Sequence, residues 1–466
     1  MKQVLGLLAV LFLWSVTAYA IDEDTLRFGK FGNVHLYRTT PLPERVALFV
    51  SGDGGWNLGV VEMARTLAHE NALVIGIDII HYLKELATAS DQCSYPAADF
   101  EALSQYVQKK LDLPIYHVPV LIGYSSGATL VYATLVQAPP NTFAGAISMG
   151  FCPDLPLTKP FCKGSGLEWT AGPRGKGYSF LPASHLEQPW IAFQGVVDQV
   201  CDANDVQTFV KKVSKAQLEL LPKVGHGFAV QKNWLPQLRN AFQRLTISAD
   251  TAVAVPGSAN LSDLPLIELP ATGDAQNLLA VIISGDGGWA NIDKKLGEYF
   301  SSQGISVVGL NSLKYFWTRR TPDGASMDLL RIISHYSDAW SKDKVLLVGY
   351  SRGADVLPFM TNRLPAQALS KVAGVALLGL EEAVDFQFHL TDWLSSSNPK
   401  SALPVRPEVE KLKGLRVVCF YGSEEKHSLC DDLDTNFVTS IQMSGGHHLG
   451  GDYVTIAKQI LEHVVR

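Results

Sequence analysis

The sequence predicts an α/β protein made of two tandem domains, each a mostly parallel sheet with helices on both faces. Three observations carry this. Short apolar runs alternate with segments of helical spacing along the chain. The alternation occurs twice. Four distinctive strings recur in the same order in both halves.

The strings are these. "ALFVSGDGGW" (47–56) returns as "AVIISGDGGW" (280–289). "VLIGYSSGA" returns as "LLVGYSRGA". "WIAFQGVVDQVCD" (190–202) corresponds to "VVCFYGSEEKHSLCD" (417–431). "KVGHGF" (223–228) corresponds to "SGGHHL" (444–449). Two units of about 200 residues each make this a domain duplication, not a solenoid of short repeats. The join falls in the small, polar stretch 248–263, which contains Pro256-Gly257. The expected layout is therefore a leader at 1–20, domain one at 21–247, a linker at 248–263 and domain two at 264–466.

In domain one the predicted strands are Val46–Val50, Leu73–Ile77, Val118–Ile122, Gly145–Met149 and Trp190–Phe193. "VVEMARTLAHE" has helical spacing between the first two. Domain two repeats the series with Ala280–Ile283, Ser306–Leu310, Val345–Val348, Val375–Leu380 and Val417–Tyr421. Near-continuous apolar runs fit strands buried on both faces of a parallel sheet.

The 466 residues carry a formal charge of -6 and no basic block. Nucleic acid is not the expected partner. The opening "MKQVLGLLAVLFLWSVTAYA" reads as a secretory signal peptide, with Lys2, an apolar run and Ala18-Tyr19-Ala20 as a cleavage site. An uncleaved anchor is the alternative. Cleavage would leave Ile21 first and the protein in the periplasm. Export makes disulfides the expected state of the cysteines, against the alternative of free buried thiols. Cys93, Cys152, Cys162 and Cys201 lie in the first half, where three pairings are open. Cys419 and Cys430 are the internal pair open to the second half. No cysteine or histidine spacing suggests zinc.

Gly-x-Ser-x-Gly after a strand and before a helix is the nucleophile-elbow pattern. The turn is strained and crowded, so small residues must surround the serine. Gly123, Gly127 and Ala128 surround Ser125, and Gly349, Gly353 and Ala354 surround Ser351. An oxyanion hole needs one N–H after the serine and one from an earlier Gly-rich loop. Ser126 with Asp53 and Gly54 fill those places in domain one. Arg352 with Asp286 and Gly287 fill them in domain two. The SGDGGW loop lacks the Lys and Ser/Thr of a P-loop. Its aspartates have two readings: contact with substrate, or capping of their own turn.

The serine also needs a base oriented by a carboxylate, in the chain order Ser, acid, His. Domain one offers Ser125, Asp198 and His226. Domain two offers Ser351, Glu425 or Glu424, and His447. Glu425 is preferred because it lies three residues after Gly422, as Asp198 does after Gly195. His448 and His427 compete with His447.

"LNSLKYFWTRRTP" (310–322), "VLLVGYSRGADVLPFMTNRLP" (345–365), "DFQFHLTDWL" (385–394) and "GGHHLGGDY" (445–453) resemble the VirJ/AcvB family of exported bacterial proteins. The layout resembles its longer, AcvB-like members. The resemblance implies α/β-hydrolase domains in tandem. It also implies hydrolysis of aminoacyl-phosphatidylglycerol, the lysyl or alanyl ester, with catalysis at Ser351 and His447 in domain two. The family further has links to virulence and type IV secretion, so secretion-system or membrane-protein contacts are possible partners. No metal or organic cofactor is required. The family's longer members often have a degenerate first elbow, whereas this chain keeps Ser125, Asp198 and His226. His389, Asp392 and Trp393 have two readings, a substrate wall or a packed amphipathic segment, and Arg319 and Arg320 are candidates for lipid phosphate or a solvated turn. A generic esterase and a secretion-associated scaffold are the competing functions.

Overall fold

The computed structural model describes residues 20–251, 261–388, 401–426 and 428–465. The leader at 1–19, most of the expected linker, His389, Asp392, Trp393 and His427 lie outside the described residues.

The first unit contains β1 (Asp22–Phe28), β2 (Gly32–Arg38), β3 (Arg45–Val50), β4 (Ala72–Ile77), β5 (Val120–Tyr124) and β6 (Gly145–Met149). Three short strands follow, β7 (Asp154–Leu155), β8 (Trp169–Ala171) and β9 (Tyr178–Phe180). Then come β10 (Trp190–Gly195) and β11 (Ala216–Leu221). Its helices are α1 (Leu58–Ala68), α2 (Ile79–Thr88), α3 (Pro96–Lys110), α4 (Ser126–Gln137), α5 (Ala203–Val210) and α6 (Leu235–Thr251). The main sheet runs β1-β2-β4-β3-β5-β6-β10-β11. β1, β2 and β4 pair antiparallel, and every pair from β4 to β11 is parallel.

The second unit repeats this with β12 (Leu266–Leu269), β13 (Leu278–Ile283), β14 (Ser306–Leu310), β15 (Lys344–Tyr350) and β16 (Val372–Leu378). A small ribbon of β17 (Ala383–Val384) and β18 (Leu403–Pro404) precedes β19 (Val417–Gly422) and β20 (Val438–Met443). Its helices are α7 (Asn291–Ser302), α8 (Ser312–Tyr315), α9 (Pro322–Ala339), α10 (Arg352–Asn362), α11 (Ala366–Leu369), α12 (Arg406–Glu410) and α13 (Tyr453–Ile460). The sheet runs β12-β14-β13-β15-β16-β19-β20, with only β12 antiparallel.

The apolar runs are strands because both sheet faces are covered. Val46, Leu48 and Val50 of β3 join the core under α3 and α4, while Ala47 and Phe49 join the one under α1 and α6. β13 divides the same way, with Leu279, Val281 and Ile283 on one face and Leu278, Ala280 and Ile282 on the other. The antiparallel edge strands β1, β2 and β12 lie outside the strands read from the sequence and leave each sheet mostly parallel. β5 begins at Val120, not Val118, because Pro119 has no N–H to give a ladder. The boundaries also shift. α6 runs on to Thr251, past the expected boundary at 247. Leu261 is already packed in the second core, inside the stretch read as linker.

The cysteines pair as Cys93–Cys162, Cys152–Cys201 and Cys419–Cys430. Three disulfides accord with an exported protein.

The units touch at a compact interface. Trp317, Leu313 and Phe388 of the second pack with Tyr116 and Val118 of the first. Trp317 Nε1 donates to Leu113 O at 2.7 Å, and the Lys109 ammonium stands 4.4 Å from the Trp317 ring centre. Asn141 Nδ2 donates to Trp289 O at 3.2 Å, and Lys294 pairs with Glu187.

One packing device recurs. The SGDGGW tryptophan lies across a glycine of the neighbouring strand. A Cβ on Gly76 would stand 2.1 Å from the Trp56 ring, and one on Gly309 would stand 2.1 Å from the Trp289 ring. Gly309→Ala should therefore destabilise the second unit by roughly 1–3 kcal/mol through overpacking. Urea unfolding measures this, and adding Trp289→Leu should recover part of the loss.

Candidate active site

Both serines sit where a strand turns abruptly into a helix. Ser125 has φ 55° and ψ −123°, and Ser351 has φ 52° and ψ −124°. An L-residue is strained there. The turn survives because its neighbours lack side chains. A Cβ on Gly127 would lie 2.4 Å from Ser51 O, and one on Gly353 would lie 2.0 Å from Ile283 O. Gly123 and Gly349 face the backbone of Gly127 and Gly353 just as closely, with 2.1 and 2.4 Å to the carbonyl oxygens.

The Gly-rich loop is anchored beside each serine by its own first residue. Ser51 Oγ accepts from Ile79 N at 3.1 Å, and Ser284 Oγ accepts from Ser312 N at 2.9 Å. This brings Gly52 against the Ser125 Cβ and Gly285 against the Ser351 Cβ. Asp53 and Asp286 do not cap their own turns. Asp53 Oδ1 accepts from Ser126 Oγ at 2.5 Å, and Asp286 pairs with the Arg352 guanidinium. Arg352 Nη1 also donates to Asp385 O at 2.6 Å and Gln387 O at 3.3 Å. That buried side chain joins three loops of the second unit. Asp53, Ser126, Asp286 and Arg352 thus tie each Gly-rich loop to the residue after the serine. Gly54 and Gly287 continue those loops. Among the described residues, the N–H groups of Asp53 and Ser126 make no hydrogen bond.

In the first unit the three expected groups form an unbroken chain. Ser125 Oγ lies 2.9 Å from His226 Nε2, and His226 Nδ1 lies 2.9 Å from Asp198 Oδ2. Burial works to raise the Asp198 pKa. The N–H groups of Cys201 and Val200, together with His226, outweigh it and hold the carboxyl below its usual value. The Cys152–Cys201 disulfide pins this acid loop to the segment after β6.

In the second unit His447 Nδ1 lies 2.6 Å from Glu425 Oε1, while Glu425 Oε2 accepts from Gly422 N at 2.7 Å. Glu424 is exposed. His448 meets Tyr350 OH at 3.0 Å. Among the described residues, no hydrogen bond joins Ser351 to His447. The hydrogen bond that His447 donates to Glu425 raises the His447 pKa; burial opposes this, and the charges of Glu425, Glu381 and Asp286 add to it.

Some supporting residues escaped the sequence reading. Gly150 and Gly379, both at positive φ, back the two imidazoles: a Cβ would stand 3.2 Å from His226 and 2.7 Å from His447. Tyr124 packs on His226 at 5.9 Å between ring centres, and Tyr350 on His447 at 5.5 Å. The shared Gly-Tyr-Ser string was the available signal for the tyrosines. Of the arginines offered for lipid phosphate, Arg319 is exposed. Arg320 Nε instead donates to Tyr315 O at 3.2 Å.

Fold and sites together define a class: the α/β-hydrolase fold, here in tandem, with a serine elbow and a histidine–carboxylate pair in each unit. The sequence profile of the bacterial virulence protein VirJ matches residues 44–149 and 277–466, and the chain belongs to that family. The match takes in Ser125 and the whole Ser351, Glu425 and His447 set, but not Asp198 or His226. No curated protein matches the sequence. Among solved structures, the chain is similar to the esterase domain of a Rhodothermus marinus protein, with 15% identity, TM-score 0.31, and 49% of this chain and 98% of that one covered. It is also similar to an α/β serine hydrolase without lid from Xanthomonas campestris, with 20% identity, TM-score 0.32, and 49% and 94% covered. A third is Thermogutta terrifontis esterase 2, with 15% identity, TM-score 0.34, and 49% and 94% covered.

Two predictions follow from this geometry. A histidine must be neutral to accept a proton, so turnover in which His447 takes the Ser351 proton should rise with pH through an inflection above the ordinary 6.5. Glu425→Gln removes the largest cause of that rise. Its inflection should move to lower pH, with kcat down about 10²–10⁴-fold. The check is a pH–kcat/KM profile in a Ser125→Ala background. Separately, Cys152→Ser with Cys201→Ser frees the Asp198 loop. It should slow ester turnover at Ser125 by about tenfold, the scale of a sub-ångström misplacement. Turnover at Ser351 should stay unchanged.

Proposed function

We propose that this protein is a periplasmic hydrolase of the aminoacyl ester in lysyl- or alanyl-phosphatidylglycerol, releasing the amino acid and phosphatidylglycerol. The observation that carries the reading is the Glu425–His447 pair beside the Ser351 elbow, all within the family-matched segment. Glu381 and Asp286 lie close enough for their charges to favour a cation at His447. Glu381 suits an ester whose acyl part carries an ammonium group, while Asp286 is already paired with Arg352.

His447 Nε2 takes the Ser351 proton as the serine oxygen attacks the aminoacyl carbonyl. The N–H of Arg352 and the Asp286–Gly287 loop stabilise the oxyanion. His447 returns the proton to the departing glycerol oxygen, and phosphatidylglycerol leaves. His447 then deprotonates water, which attacks the acyl-serine, frees the amino acid and restores Ser351. Glu425 orients the imidazole and stabilises its cation. Every bond made and broken is accounted for without a cofactor.

The closed hydrogen-bond chain at Ser125 favours a second site for ester cleavage in the first unit. A scaffold role has no use for either set.

The test is amino acid release from lysyl- and alanyl-phosphatidylglycerol vesicles by the mature protein, Ser351→Ala and Ser125→Ala. Ser351→Ala should lose at least about 10³-fold, and Ser125→Ala should keep most activity. Full activity in Ser351→Ala would move the chemistry to Ser125. No release by the unmutated protein would leave a soluble-ester esterase or a scaffold.

A further inference from the structure

The two units meet by unlike edges. In the first, β5, β6 and β10 run parallel, and Leu113, Tyr116 and Asn141 come before those strands begin. Ser125, Asp198 and His226 come after their strands end, on the opposite edge. In the second unit the contact residues follow strand ends: Trp289 after β13, Trp317 after β14, and Phe388 after β16. That is the edge that carries Ser351, Glu425 and His447. The underside of the first unit therefore rests on the catalytic edge of the second, and Ser125 faces away from it.

The contacts fall on the oxyanion side of the Ser351 site. Arg352 Nη1 donates to Asp385 O and Gln387 O. The next residue, Phe388, gives its N–H to Phe316 O at 2.8 Å and stacks on Trp317 with 5.7 Å between ring centres. Trp317 is buried and hydrogen-bonded to Leu113 O of the first unit. On the other flank, Arg352 pairs with Asp286, three residues before Trp289. The Trp289 carbonyl accepts from Asn141 of the first unit. Both oxyanion elements of the second site are thus one short relay from the first unit.

We propose that the first unit is a positioning platform for the reaction at Ser351, with Asn141 and the Trp317–Leu113 contact as its positioning residues. The inference rests on the reading of Ser351 as the lipid-cleaving serine. An oxyanion hole acts in the transition state, so loosening its supports lowers kcat and leaves KM in place. The platform also gives the duplication a use apart from any chemistry at Ser125.

The test uses the full chain with Ser125→Ala and the lysyl- and alanyl-phosphatidylglycerol vesicles. Asn141 has φ 67°, a conformation glycine tolerates, so Asn141→Gly removes the donor without backbone strain. Trp317→Phe keeps an aromatic ring in the interface and removes the N–H together with part of the indole. The pair together should lower kcat about tenfold or more, with KM changed less than about twofold. In a Ser351→Ala background the same pair should leave p-nitrophenyl acetate turnover at Ser125 unchanged. Unchanged kcat, or equal loss at both serines, would overturn the proposal, since the contacts would then only hold the fold together. If the protein without interface changes releases no amino acid, the catalytic reading itself fails, and the platform with it.

Discussion

The structure depends on one constraint, a serine held at positive φ where a buried strand meets a helix. That conformation is unfavourable for any residue with a Cβ. It persists because four glycines let the helix start, the strand end and the Gly-rich loop approach within backbone contact. Gly123 and Gly127 do this in the first unit, and Gly349 and Gly353 in the second. The crowding has a chemical consequence. It lifts the serine oxygen clear of the sheet and turns the following N–H groups toward the same space. The imidazole arrives from a distant loop and is backed by Gly150 or Gly379. Each part fits only because its neighbour is small.

Within that shared frame the two sites differ in their acids. Asp198 is short, fully buried at its side chain, and accepts two backbone N–H groups on one oxygen while meeting His226 with the other. Glu425 is one methylene longer and turns back to the N–H of Gly422. The first arrangement closes all the way to the serine. The second brings acid and base closer, 2.6 Å against 2.9 Å, with the charges of Glu381 and Asp286 also acting on His447. Duplicated folds that keep both nucleophiles can in this way carry different electrostatic surroundings.

Much of this was legible in the sequence, because recurring strings mark the parts that cannot vary freely in a crowded turn. Ser125, Asp198 and His226 are spaced by up to 101 residues, yet the elbow, the acid turn and the Gly-flanked histidine each have a local signature. Other features have none. β1 and β2 form an antiparallel hairpin rich in charge, so their half-buried alternation is weak beside the central runs. The strands β7, β8 and β9 are two or three residues long and lie among prolines and glycines. The pairings of Cys93 with Cys162 and of Cys152 with Cys201 are set by which loops the sheet order brings together, not by spacing. Trp317 reads as one more aromatic in an apolar string, and only the docking of two units reveals its partner.

The central claim is that both elbows present an activated serine. It is tested most directly by the stoichiometry of reaction with a fluorophosphonate, read by intact mass and peptide mapping of the folded protein. The account predicts two adducts per chain, one on Ser125 and one on Ser351, both lost on prior unfolding. A folded protein that leaves one or both serines without an adduct would contradict it.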